Sequence, residues 1–213
     1  MRRALLTLSF AMLIACSERT SGGSQADEFT AALNAYYADN PECVRVGRPA
    51  DEDGVVAEIK LSLLNRDPDL PKLDALAQAG VLTVQDVEVE TPGQLGLPST
   101  REAVRRYTLT SEGEVSLRAE TGRRDFRRGA TELCYGHREV ASVLRSMQPP
   151  QATGEHVASV AYAYQLNSVA DWARYEAVAA AFPTVSRSID GPNEDTDELV
   201  LTSDGWVHHR LAP

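Results

Sequence analysis

The spacing of apolar residues changes along this chain, and each change marks an element. Phe29, Leu33, Tyr36 and Tyr37 recur at intervals that put them on one helical face. Ser24 and Asp27 form a capping pair ahead of them, and Asn40-Pro41 stops the helix. After a turn at Asp51–Gly54 the period drops to two: Val55, Ala57, Ile59, Leu61 and Leu63 alternate with Val56, Glu58, Lys60, Ser62 and Leu64, which predicts a strand. Asp69 and Pro71 open a second helix with Leu73, Leu76 and Leu82 inward and Gly80 at its end. Residues 84–89 read as a strand and 91–100, with Pro92, Gly93, Gly96 and Pro98, as a loop. Residues 104–109 and 114–118 read as a hairpin turning at Ser111-Glu112-Gly113.

The later part of the chain has the same kind of pattern. Leu133 to Gly136, with Val140 and Val143, reads as a strand, and Gly136 marks a bulge. Ala158, Val160, Tyr162, Tyr164 and Leu166 alternate with smaller or polar residues. Ser168 and Asp171 cap a helix that buries Trp172, Tyr175, Ala179 and Phe182 and ends at Pro183. Residues 199–202 and 206–209 flank Asp204-Gly205, a hairpin signal. These elements predict an α+β body, mostly antiparallel sheet with about three helices. The order strand, helix, loop, hairpin occurs twice, in halves 27–148 and 149–213, and reads as a duplication unless alternating strands match by chance.

Ahead of these elements, Ala4–Ile14 is mostly apolar and follows Arg2 and Arg3. A run of about eleven residues is the length of a signal-peptide core, whereas a bilayer span takes roughly 20. Leu13-Ile14-Ala15-Cys16 resembles the lipobox of bacterial lipoproteins. That resemblance implies cleavage before Cys16, a diacylated thiol and an acylated amine, so that lipid on Cys16 is the membrane contact. Ser17, where an Asp would retain the protein at the inner membrane, implies the outer membrane, facing the periplasm. The chain then divides into a leader (1–15), an acylated cysteine and Gly/Ser-rich tether (16–26) and a globular body (27–213). Leu133-Cys134-Tyr135-Gly136 is similar to stretches in small proteobacterial lipoproteins of uncharacterised function, which adds nothing beyond the compartment.

Export decides how the cysteines are read. With Cys16 acylated, Cys43 and Cys134 remain, and an even count in an oxidising compartment reads as a disulfide. The rival is a nucleophilic Cys134 near His137, which lacks a visible orienting partner. The formal net charge is −10 and falls further when Arg2 and Arg3 leave with the leader. An acidic protein is repelled by nucleic acid and by anionic lipid, so neither is expected as a partner of the body. Residues 70–118 resemble a winged-helix unit, with a helix at 73–82 leading into a wing at 107–113. The resemblance implies a DNA reader, yet the helix offers Lys72 and little other positive charge.

Candidate chemistry is sparse. Arg123, Arg124, Arg127 and Arg128 surround Phe126 and could clamp phosphates or carboxylates of an anionic envelope component or protein; the plain alternative is a solvated turn. Asp190 to Glu198 has carboxylates enough for calcium but lacks the loop spacing, and reads as a solvated loop. His208 and His209, adjacent on a strand, point to opposite faces and do not share a metal. No metal site, cofactor loop or hydrolase motif occurs. The expected function is therefore a lipid-anchored envelope protein with a binding or structural role. The alternative is an enzyme or small-ligand protein whose pocket between the halves is lined by Tyr162, Tyr164, Trp172 or Tyr175.

Overall fold

A computed structural model describes residues 24–91, 98–117, 129–148 and 156–212. Cys16, the residues read as a leader and the four arginines Arg123, Arg124, Arg127 and Arg128 lie outside the described residues. Helix α1 (Gln25–Asp39) starts at the expected capping box: the Asp27 N–H donates to Ser24 Oγ and the Ser24 N–H to Asp27 Oδ2. Phe29, Ala32, Leu33, Tyr36 and Tyr37 form its buried stripe. Strands β1 (Glu42–Val46) and β2 (Val55–Lys60) follow, joined through Gly47. Its φ is +54°, and a Cβ there would stand 2.2 Å from the Val56 carbonyl oxygen, so only glycine fits this corner.

The chain continues through a 3₁₀ segment (Leu61–Arg66), α2 (Leu70–Gln78), β3 (Leu82–Thr91), β4 (Thr100–Leu109) and α3 (Ser111–Ser116). After β5 (Thr131–Met147) and β6 (Val157–Asn167) come a 3₁₀ turn (Asp171–Arg174), α4 (Glu176–Ala181) and α5 (Pro183–Asp190). The hairpin of β7 (Asn193–Thr202) and β8 (Gly205–His208) and a last 3₁₀ turn (His209–Leu211) complete the order. Five strands pair as β1-β5-β6-β7-β8 and three as β2-β4-β3, all antiparallel. The fold is α+β; three of its α-helices (α1, α2, α5) run eight residues or more, and α3 and α4 run six.

The 17-residue β5 holds the architecture together. Its first part pairs with β1 and its second with β6, with a register shift beside Gly136 where the strand changes partner. One core cluster packs Val44, Val46, Val56, Leu76, Tyr107, Leu133, Trp172 and Phe182 beneath α2 and α4. The other lies between α1 and the larger sheet, with Phe29, Leu33, Val160, Tyr162 and Leu199 at its centre. Each cluster draws on both 27–148 and 149–213, so the two predicted halves share their cores. The order of elements does recur, but the pairing differs: β2 joins the second strand of its hairpin (β4), whereas β6 joins the first of its own (β7).

Several boundaries differ from the sequence reading. The β2 alternation ends at Lys60, and Leu61 and Leu63 stand exposed on the 3₁₀ segment. The hairpin is β3–β4, one element earlier than read; Thr110 caps α3 by accepting from the Gly113 N–H, so Ser111–Gly113 is a helix start and no wing forms there. Pro183 opens α5, where its missing N–H costs nothing, and Tyr175 is exposed. Residues 193–198 of the acidic run belong to β7 and are not loop. No described helix is long and apolar enough to cross a membrane.

Candidate functional site

Where α1 ends, its last turn, α3, the bend of β5 and the β6–α4 connection enclose a cleft of about 380 Å³. Cys134, Tyr135, Gly136 and His137 of β5 line it, with Ala38, Asp39 and Pro41 on one side and Val115, Ser116, Leu117, Ser168 and Ala170 on the others. Cys134 and Cys43 face each other in register across β5 and β1, their Sγ atoms 2.06 Å apart in a disulfide. Gly136 lets the chain pass close to the Asn167 carbonyl, which a Cβ would meet at 3.3 Å. Ser168, at the rim, holds a φ of +49°. Ser116 is occupied as an acceptor from Trp172 Nε1 at 2.9 Å.

His137 connects this cleft to the helix. Its Nδ1 lies 3.2 Å from the Tyr37 carbonyl. A carbonyl only accepts, so Nδ1 carries a proton, which in the neutral form selects the tautomer with its lone pair on Nε2. The next residue, Arg138, turns to the opposite side and enters a buried polar network under α1.

That network is dense. Tyr162 Oη donates to Asp197 Oδ2 at 2.7 Å, and Tyr37 Oη donates to the same oxygen. Arg138 Nη1 donates to both tyrosine oxygens, at 3.2 and 3.1 Å, and to Asp195 Oδ2 at 2.7 Å, while its Nε meets Glu42. The guanidinium lies over the rings of Tyr37 and Tyr164, 4.9 and 4.4 Å from their centroids. Burial works against the Arg138 charge, but Asp195 and Glu42 outweigh it and hold the side chain protonated. Burial raises the Tyr162 and Tyr37 hydroxyl pKa values, and Asp197 adds to this. Burial alone would raise Asp197 as well; the two tyrosine donors and His208 overcome it and hold the carboxyl below its ordinary range.

His208 closes the far side. It is 1% exposed, stacks flat on Tyr36 with centroids 3.7 Å apart, and accepts the Arg210 N–H on Nδ1. Its Nε2 faces Asp197 Oδ1 at 3.5 Å, beyond a full hydrogen bond, and is the one buried side-chain polar atom without such a bond among the described residues. Burial lowers its pKa despite Asp197, with His209 and Arg210 acting in the same direction as burial.

No known protein family, curated protein or solved structure matches this chain. The reading of the site therefore rests on its own geometry.

The structure unites residues that the sequence kept apart. Asp195 and Asp197, read as part of a solvated loop, join Glu42 as carboxylates of the network, because β7 places them opposite Tyr162 and Val160. Tyr162, Tyr164 and Trp172 are core residues and Tyr175 is surface, so none lines the cleft, which forms elsewhere at the junction of α1, α3 and β5. His208 and His209 have ring centroids 4.6 Å apart, since β8 ends at His208 and strand alternation stops there. The described residues hold no group of three metal-ligating side chains. On the β3–β4 hairpin Arg101, Arg105 and Arg106 are matched by Glu90, Asp86 and Glu58. Asp39 and His137 gave little signal in the sequence; only their convergence over β5 makes them neighbours of one cavity.

Proposed function

We propose that this chain is a lipid-anchored protein of the bacterial cell envelope, held at the outer membrane through Cys16, whose body binds another envelope component without transforming it. The Cys43–Cys134 pair carries the reading: a reducing cytosol keeps such thiols apart, and an exported chain keeps them joined. It agrees with the lipobox at Leu13–Cys16. Seven residues separate Cys16 from Ser24, and the eight steps from one to the other reach at most about 28 Å fully extended, so an acylated Cys16 would keep the body close to the lipid surface. Tyr37, Tyr162 and Asp197, all with proton affinities moved from their ordinary values, are hydrogen-bonded to one another beneath α1, with His208 packed beside them, which favours a structural role for them.

Mass spectrometry of the protein from its native host tests the anchor. The expected species begins at Cys16, carries fatty acyl groups and has no free thiol; an intact Met1 with free Cys43 and Cys134 would overturn the reading. The binding surface on this account includes Arg123, Arg124, Arg127 and Arg128. Replacing Arg124, Arg127 and Arg128 with Ala should weaken recovery of envelope partners in a pull-down, and an unchanged set of partners would remove the patch from the account.

A further inference from the structure

The cleft lies at the negative end of α1. A helix leaves its last four carbonyls without intrahelical donors. Here Asn40 Nδ2 donates to the Tyr36 carbonyl at 2.8 Å and His137 Nδ1 to that of Tyr37. Among the described residues no donor reaches the carbonyls of Ala38 or Asp39, and both residues line the cleft. The last turn contains no basic residue to offset this end of the dipole. It contains a carboxylate: Asp39 adds a negative charge where the helix already concentrates one, with no ion-pair partner among the described residues. Arg138, which follows His137 in sequence, is committed to Glu42, Asp195 and the two tyrosines.

The remaining lining completes the pattern. The Tyr37 carbonyl places a proton on His137 Nδ1, so the neutral ring offers its lone pair on Nε2. Val115 is 83% exposed although it is a large apolar residue, and with Leu117, Pro41 and Ala170 it gives the cleft an apolar wall. A concave site with acceptors at one end and aliphatic surface along the other selects a ligand with the converse layout. We propose that this cleft binds a cationic nitrogen group, a guanidinium or primary ammonium, carried on an aliphatic stem. The cation sits against Asp39, the α1 carbonyls and His137, and the stem lies along Val115 and Leu117. This assignment is independent of the anchor: it holds or fails whether or not Cys16 is acylated.

Isothermal titration of the full chain with n-butylguanidinium and n-butylammonium tests it, with n-butanesulfonate as the anion of matched stem. Saturable binding of the cations in the millimolar range is expected, with none of the sulfonate. Asp39→Asn should weaken the cations about fivefold, the worth of one exposed ion pair. Val115→Ser should weaken n-butylguanidinium about two- to threefold while leaving methylguanidinium unchanged. Both side chains are exposed, so neither change threatens folding. The ¹⁵N resonance of His137 Nε2 should move on saturation. Acetyl-Ala-Arg-Ala-amide separates the two sources of the cation, binding more tightly than n-butylguanidinium if the natural group is a peptide side chain and no more tightly if it is a free small molecule. Equal binding of the sulfonate, absence of saturable binding, a stationary His137 resonance, or parental affinity in both variants would overturn the assignment.

Discussion

Two polar regions lie back to back at the end of α1, one reached from His137 and the other from Arg138. In the network under α1 donors and acceptors are matched except at His208 Nε2: Asp197 takes two hydroxyl protons, and Arg138 meets two carboxylates and two phenol oxygens. In the cleft the balance is uneven, with acceptors from Asp39, His137 and the helix end and no described arginine or lysine among its lining residues. Buried groups satisfied by one another fix a fold. Groups left open at a concave surface are available to something else. Consecutive residues of one strand, pointing to opposite sides, thus serve the interior and the surface.

The disulfide lies on the cleft floor, fixes β1 to β5 and carries the largest expected effect. Replacing Cys43 and Cys134 together with Ser removes a cross-link spanning 91 residues and should lower unfolding stability by about 4–5 kcal/mol in the chain-entropy model. Urea denaturation of the double variant measures it, and a loss below about 1 kcal/mol would show that the link constrains little. Next comes the network itself. Asp197→Ala leaves two buried hydroxyls and part of the Arg138 environment without their carboxylate, and should cost about 3 kcal/mol with cation binding in the cleft intact.

Acid sharpens the contrast at smaller scale. Because burial lowers the pKa of His208, its contribution is fully present above the ordinary histidine value of about 6.5 and is lost as pH falls below it. Asp197, held below its ordinary value, contributes above about 4 and is lost as pH falls further, through its folded-state pKa. Chemical denaturation between pH 7 and 5 should therefore show a decline that His208→Asn removes. An identical pH slope in the variant would separate His208 from acid sensitivity.

What could be read from the sequence followed the range of the interactions. The α1 capping box and buried stripe involve residues a few positions apart, and they stand as read. The β2 alternation misled because Leu61 and Leu63 continue an apolar period that the backbone abandons for a 3₁₀ turn. Thr110-Ser111-x-Gly113 and Pro183 each suit either a turn or a helix start, and neighbouring packing chose the helix. The network depends on Tyr37 meeting Asp197 across 160 positions of sequence, and the acidity of residues 190–198 concealed Asp197, which is half-buried, and Asp195, which meets Arg138 from the exposed side. The cleft gave least warning of all, since Asp39 reads as an ordinary helix-surface residue and His137 as an isolated histidine.

The claim that these two regions differ in kind is tested most directly by urea denaturation of Asp39→Asn, with and without n-butylguanidinium. Removing an unfavourable charge from the negative end of α1 should leave stability unchanged or raise it by about 0.3–1 kcal/mol. The same substitution should diminish the added stability that saturating ligand confers on the parent chain. A variant destabilised by more than about 1 kcal/mol that keeps its full response to n-butylguanidinium would contradict the account, because Asp39 would then serve the fold and not the cleft.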